Sequence, residues 1–183
     1  MSRTAGSSNT EVTGGAGTDP LAALDDERLT ALGLLVEAFS GVREAWEPQV
    51  EAAGITGSEF GVLVRLARSP GHRLRMSELA AQSTVTHSGL TRLIDRMVGA
   101  GMVERTPCET DRRGSYAQLT GAGIDLVVGL IPAHLATIDR VLVGPVGLDD
   151  LAGFLQALRR IRAVARPMSD PVASASVGLR PTS

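Results

Sequence analysis

Residues 86–101, THSGLTRLIDRMVGAG, constrain the fold of this chain more than any other stretch. Leu90, Leu93, Ile94, Met97 and Val98 recur at i, i+3, i+4, i+7 and i+8, the spacing of an apolar stripe on a helix that packs on a core. Thr86 is placed to cap the helix, and Gly99-Ala100-Gly101 to end it. At 100° per residue, Ser88, Arg92, Asp95, Arg96 and Gly99 fall on the opposite side. Such a helix is held to its own domain by one face and offers a polar, arginine-bearing face outward.

The flanking sequence predicts where this helix sits. Leu32, Leu35, Val36, Phe39, Val42 and Trp46 predict a long first helix over residues 24–46, with a broken continuation to residue 53. Thr56 or Ser58 can cap a second helix, SEFGVLVRLARS, which Pro70-Gly71 stops. Ser77 can cap a short third helix, SELAAQ, with Glu78 opposing the positive end of its dipole. After the central helix come two strand-like runs, residues 102–106 and 115–119. The eight residues between them, PCETDRRG, exceed a tight hairpin turn and predict a projecting loop tipped by arginines. Thr120 then opens a long helix over residues 121–142, kinked at Pro132 and ended by Gly144-Pro145. A last helix, LDDLAGFLQALRRIRAVA, begins with acids and closes with Arg159, Arg160 and Arg162, as the macrodipole favours.

The 183 residues amount to one domain with tails. Residues 1–20 and 167–183 are rich in Gly, Ser and Thr or Pro and read as disordered tails, leaving residues 21–166 as the folded part. Aromatics are only 3% of the chain, so Leu, Val, Ile and Ala must fill the core. The net charge of −2 does not announce a nucleic-acid binder, but it averages over regions. Between residues 73 and 113 seven arginines oppose five acids, a local +2 against −4 elsewhere. The single cysteine, Cys108, excludes an internal disulfide and fits a reducing compartment. No apolar run is read as approaching the roughly 18 residues that span a bilayer, and the N-terminus lacks the apolar core of a signal peptide. A cytoplasmic location without membrane partners is the expectation.

Helix, turn, amphipathic helix, strand, basic loop and strand, in that order, form a helix-turn-helix followed by a β-wing. The second helix of such a unit can enter the major groove, where arginine pairs bidentately with guanine. The expected partner is double-stranded DNA. The residues expected at it are Arg75, Ser77, Thr86, His87, Ser88, Gly89, Thr91, Arg92 and Arg96, with Asp111, Arg112 and Arg113 at the wing tip. Gly89 leaves room for close backbone approach, Asp95 can fix the rotamer of Arg92, and Asp111 can cap the loop or hold Arg112 or Arg113. Two outward arginines on a helix are commonly just a solvated face; their succession with a basic wing is what makes the pattern specific.

Residues 59–123 resemble the core of the MarR family of bacterial transcriptional regulators. The likeness lies in linked motifs: RMSELA, GLTRLIDRM, GMVER, DRRG and LTGAG. Asp111, Arg113 and Gly114 fill the family's wing pattern, with glycine where alanine or serine is common. The resemblance implies a mainly α fold with a small β-wing. In it a winged helix-turn-helix over about residues 56–120 is flanked by dimerisation helices over about residues 24–53 and 121–165. It further implies a homodimer that reads a pseudo-palindromic operator, usually represses, and is relieved by a small aromatic, phenolic or anionic effector. The apolar runs LVVGLI and VLVGPV support the dimer independently, because one thin domain cannot bury them.

An effector pocket is expected where the first, second and long helices meet the winged unit. Phe39, Trp46 and Phe60 are its candidate aromatics, and Arg65, His72 and His134 its candidate polar groups. The competing reading makes the aromatics plain core. Cys108 reads as a surface thiol in the wing loop, where Glu109 and Asp111 disfavour a reactive thiolate. His72, His87 and His134 lack metal-ligand spacing with Cys108, and no cofactor is expected. Without a Gly-rich phosphate loop, a Ser-His-Asp set or a paired carboxylate, the chain reads as a non-enzyme. The alternative function is a winged-helix interaction module that binds a protein or ligand but not DNA.

Overall fold

A computed structural model describes residues 21–83, 85–108 and 111–166, with the side chains of residues 22, 23 and 111–113 excepted. Both predicted tails lie outside the described residues. The chain divides into two units, residues 1–40 and 41–183. The described part of the first holds a 3-10 turn, Ala22–Asp25, and the opening of helix α1 (Glu27–Ala52). Leu29, Leu32, Leu34, Leu35, Val36 and Phe39 are all exposed there.

In the second unit, α1 runs on through Pro48 to Ala52, where the sequence predicts only a broken continuation. Helix α2 (Gly57–Ala67) starts at Thr56 with a reciprocal cap. The Glu59 N–H donates to Thr56 Oγ1 at 3.3 Å, and the Thr56 N–H donates to Glu59 Oε2 at 2.8 Å. A 3-10 turn (Pro70–His72) leads into strand β1 (Arg73–Arg75) and helix α3 (Met76–Gln82). Ser77 lies inside α3 and does not cap it. The capping position is Arg75, whose N–H donates to Glu78 Oε2 at 3.0 Å. Helix α4 (His87–Gly99) begins at Thr86 as predicted, with the Gly89 N–H donating to Thr86 Oγ1 at 3.2 Å.

The wing differs from its prediction. Strand β2 (Val103–Cys108) and strand β3 (Asp111–Leu119) reach far beyond the short runs expected, so the eight-residue projecting loop does not exist. Cys108 pairs with Asp111, only residues 109 and 110 lie between the strands, and these fall outside the described residues. Register is regular from Val103↔Leu119 to Pro107↔Ser115 and then jumps, so residues 112–114 bulge from β3. Pro107 cannot donate to a ladder, a local reason for the break there. Strand β1 pairs with β3 at Leu74↔Ala117, giving a three-stranded antiparallel sheet in the order β1-β3-β2.

Helix α5 (Gly121–Ile138) is capped by Thr120, whose Oγ1 accepts from the Gly123 N–H at 3.1 Å and donates to the Gly101 carbonyl at 2.6 Å. It continues through a π-helical turn (Asp139–Val143) and a last turn (Gly144–Val146), so Gly144-Pro145 does not end it. Pro145 has no N–H for the next helical bond, and the Gly144 N–H reaches back five residues to the Asp139 carbonyl. The stop is Gly147, at φ 80°. Helix α6 (Leu148–Ala165) follows. By length and composition, residues 121–146 form one helix long and apolar enough to cross a membrane, contrary to the expectation from sequence. Asp125 and His134 interrupt its apolar run, which is why no unbroken apolar stretch marks it in the sequence. One side of this helix nevertheless packs Ile124, Val127, Leu130 and Ile131 on the core.

That core lies in the second unit. Val50 and Ile55, then Phe60, Leu63 and Leu66 of α2, Leu79 of α3, and Leu90, Leu93, Ile94 and Met97 of α4 close over Val103, Ala117 and Leu119 of the sheet. The predicted stripe of α4 is buried apart from Val98, which stays exposed at its end. Burying four such side chains contributes about 1.5–3 kcal/mol each, which holds α4 firmly on its unit.

Candidate nucleic-acid interface

With its stripe buried, α4 turns Thr86, His87, Ser88 and Arg92 to solvent. Arg92 makes no hydrogen bond or ion pair among the described residues. Asp95 does not hold it: the Asp95 carboxylate accepts instead from Arg105 of β2, at 2.8 Å. Arg96 is engaged too. Its guanidinium lies 3.5 Å from Glu59 Oε1, and Glu59 is a nearly buried carboxylate of α2. Adjacent residues of α4 thus take separate partners, one on the wing and one on α2.

Two further residues work locally. The Thr91 hydroxyl donates to the His87 carbonyl at 3.2 Å, back onto its own helix. A Cβ on Gly89 would stand 3.1 Å from Thr86 Oγ1, so the glycine makes room for the cap. Ser88 Oγ lies 3.4 Å from the same hydroxyl.

At the other edge of the sheet, Arg75 carries its guanidinium 5.7 Å from the centre of the Tyr116 ring, and Arg73 carries its own at 4.8 Å. Arg73 is not among the residues expected at DNA from the sequence. The strand that carries it, opposite Gln118 and diagonal to Tyr116, spans only three residues and leaves no periodic signal. Ser77 is exposed on α3. Asp111, Arg112 and Arg113 belong to β3 by their backbone, and their side chains lie outside the described residues. Cys108 is not a surface thiol. It is buried on β2, its sulfur 3.9 Å from the Tyr116 hydroxyl.

A second feature lies away from this face. Trp46, Phe60 and His134 meet at ring-centre distances of 5.9, 5.5 and 4.7 Å, beside a cavity of about 330 Å³ that is also lined by Val64, Arg65 and Arg68. Gly57 admits the indole, since a Cβ there would lie 2.9 Å from it. Arg65 donates to the Gly61 carbonyl at 2.7 Å, and burial, followed by the nearby charge of Arg166, holds its pKa below the usual arginine value. Burial likewise lowers the pKa of His134, and its Nδ1 is buried without a hydrogen-bond partner among the described residues. Phe39 belongs to the other unit and is 67% exposed. His72 is not among the residues that line this cavity. It bonds through Nδ1 to the Ala67 carbonyl at 3.0 Å. Among the described residues no group of His, Cys, Asp or Glu could hold a metal ion.

A helix-turn-helix whose second helix is anchored by its apolar side, next to a three-stranded antiparallel wing, defines a winged-helix DNA-binding transcriptional regulator. The comparisons agree. The family model described as MarR family matches residues 53–114. AbsC, a MarR family regulator from Streptomyces coelicolor, superposes with a TM-score of 0.71 at 32% identity, over 78% of this chain and 96% of AbsC. Sco3205 from the same organism, solved in complex with DNA, superposes with a TM-score of 0.70 at 27% identity, over 77% of this chain and 89% of its own. The transcriptional repressor YetL of Bacillus subtilis is 32% identical over 89 residues, 49% of this chain and 53% of YetL. The chain belongs to the MarR family of transcriptional regulators, which are not enzymes.

Proposed function

We propose that this protein is a cytoplasmic, homodimeric repressor that reads a pseudo-palindromic operator and is released from it by a small aromatic effector. The observation that carries the DNA-reading part is the outward face of α4, where Arg92 stands without an intramolecular partner among the described residues while the opposite face is buried. In this reading α4 enters the major groove and Arg92 reads a base edge. His87, Ser88 and Thr86 meet bases or phosphates at its N-terminus, while Gly89 and Thr91 shape that end. Arg75 and Ser77 meet phosphate from the start of α3. Arg96 adds positive charge to the same side while tied to Glu59. The wing tip, Asp111 to Arg113, reaches the flanking minor groove, where a narrow A·T-rich groove attracts arginine.

The dimer is supported by apolar surface that one chain leaves open. Val128 and Leu135 of α5, Leu148, Ile161 and Val164 of α6, and the leucines at the start of α1 are all exposed. A soluble protein seldom leaves that much apolar surface uncovered, and a second copy related by a two-fold axis would bury it. The same partner accounts for the membrane-like composition of residues 121–146. The residues over about 24–53 and 121–165 are then the dimerisation helices. Repression is the reading that fits the likeness to YetL.

The effector reading rests on the cavity beside Trp46, Phe60 and His134. Aromatic walls suit a flat ring, and Arg65 and Arg68 supply positive charge for a phenolate or carboxylate.

A mobility shift with the intergenic region next to the gene, at low and high salt, tests DNA reading, and footprinting then gives the operator. Discrete retardation that weakens with salt is expected; no retardation at low salt overturns the reading. Titration of phenolic acids against Trp46 fluorescence tests the pocket: quenching that saturates supports it, and a flat response throughout removes it.

A further inference from the structure

Asp95 is the anomaly of the DNA-facing helix. It is 61% exposed on α4, three residues from Arg92, and an acid there repels phosphate. Its partner explains its presence. Arg105 lies on β2 opposite the buried Ala117, on the side of the sheet that also carries the buried Val103. From the end of that core-facing row its guanidinium reaches over to α4 and donates to Asp95 Oδ1 at 2.8 Å. The next residue, Arg96, is tied to Glu59 of α2. The recognition helix is therefore fastened on two sides, to the wing and to the body of its unit.

We propose that the Asp95–Arg105 pair is a positioning device that sets the angle between the recognition helix and the wing. It thereby couples base reading in the major groove to wing contact in the minor groove. Neither residue touches DNA in this role. The proposal rests on the groove assignments made above. Fold stability does not depend on the pair, because both side chains keep solvent contact and the apolar stripe holds α4. What the pair restricts is rotation and tilt of α4 against β2. Without it, the shared core still holds helix and wing together but their mutual angle is less tightly set, and specific binding must set it.

Three variants test this: Asp95→Asn, Arg105→Gln and the charge-swapped pair Asp95→Arg with Arg105→Asp. Each is titrated by fluorescence anisotropy over a range of salt. One duplex carries the footprinted operator, and the other is a scrambled duplex of equal length and composition. The expected result is a loss of roughly tenfold in operator-over-scrambled preference for either single variant, recovered in part by the swap. The slope of log K against log salt stays unchanged, as does the thermal midpoint within a few degrees.

Three results overturn the proposal. Arg105→Gln could lower the salt slope by about one, which makes Arg105 a phosphate contact. Asp95→Asn could tighten both duplexes alike, which makes Asp95 a mere repulsive charge. Both single variants could keep the wild-type preference. If the wild type itself fails to distinguish the two duplexes, the groove assignments fall and this proposal with them. A wild type that discriminates alongside variants that do so equally well removes the positioning role alone.

Discussion

Gly123 lies so close to Met102 that a Cβ on the glycine would stand 2.1 Å from the Met102 carbonyl oxygen. The contact joins the first turn of α5 to the entry of the wing. Thr120 seals the same junction, accepting from the Gly123 N–H and donating to the Gly101 carbonyl. The obstacle is backbone, not a flexible side-chain end. Gly123→Ala must therefore move the helix start, and a loss of about 3 kcal/mol is expected in urea denaturation. Gly121→Ala, with open space around its Cβ position, is the control and changes little.

Thr86 carries the start of the recognition helix. Thr86→Ala removes the acceptor for the Gly89 N–H and is expected to cost about 1 kcal/mol of unfolding free energy. Thr86→Ser keeps that acceptor and retains most of the stability. Chemical denaturation of the two variants side by side checks the difference.

Arg92 and Arg96 separate by their partners. Arg92→Ala leaves stability unchanged and weakens operator binding by about 1–3 kcal/mol, with relaxed preference at one base position. Arg96→Ala loses binding too, but also lowers stability by about 1 kcal/mol, because Glu59 keeps a nearly buried carboxylate without its counter-charge. Melting curves set beside anisotropy titrations distinguish the two.

His134 makes stability depend on pH. Its pKa in the folded protein lies below the unfolded value of 6.5 because burial disfavours the imidazolium. Well above pH 6.5 the ring is neutral in both states and contributes no slope. As pH falls below 6.5 the unfolded chain takes up a proton before the folded protein does, so stability drops until the folded pKa is passed. His134→Phe removes that slope. Urea midpoints for wild type and variant between pH 7.5 and about 5 measure it.

Much of the fold was legible because the signals are local. The caps at Thr56, Thr86 and Thr120 depend on side chains and N–H groups three residues apart. The apolar spacing of α4 follows from helix geometry alone. Strand β1 was not legible: Arg73, Leu74 and Arg75 become a strand only because β3 lies alongside to pair with them. The wing departs from its expected loop for the same reason. PCETDRRG is turn-like by composition, yet cross-strand pairing draws Pro107 and Cys108 into β2 and Asp111 into β3, with residues 112–114 bulged between paired positions. Ser77 was the better cap by residue type, but Glu78 reaching back to the Arg75 N–H starts α3 two residues earlier.

The sequence by itself determined that α4 exists, which side of it is buried, and that arginines stand on the other side, because those properties follow from residue order along a single helix. Only the tertiary structure decided which arginine is spoken for. Asp95 is three residues from Arg92 but takes Arg105, ten residues on, and Arg96 takes Glu59, thirty-seven residues back. An ion pair forms where folding brings two charges together, and distance along the chain does not report that.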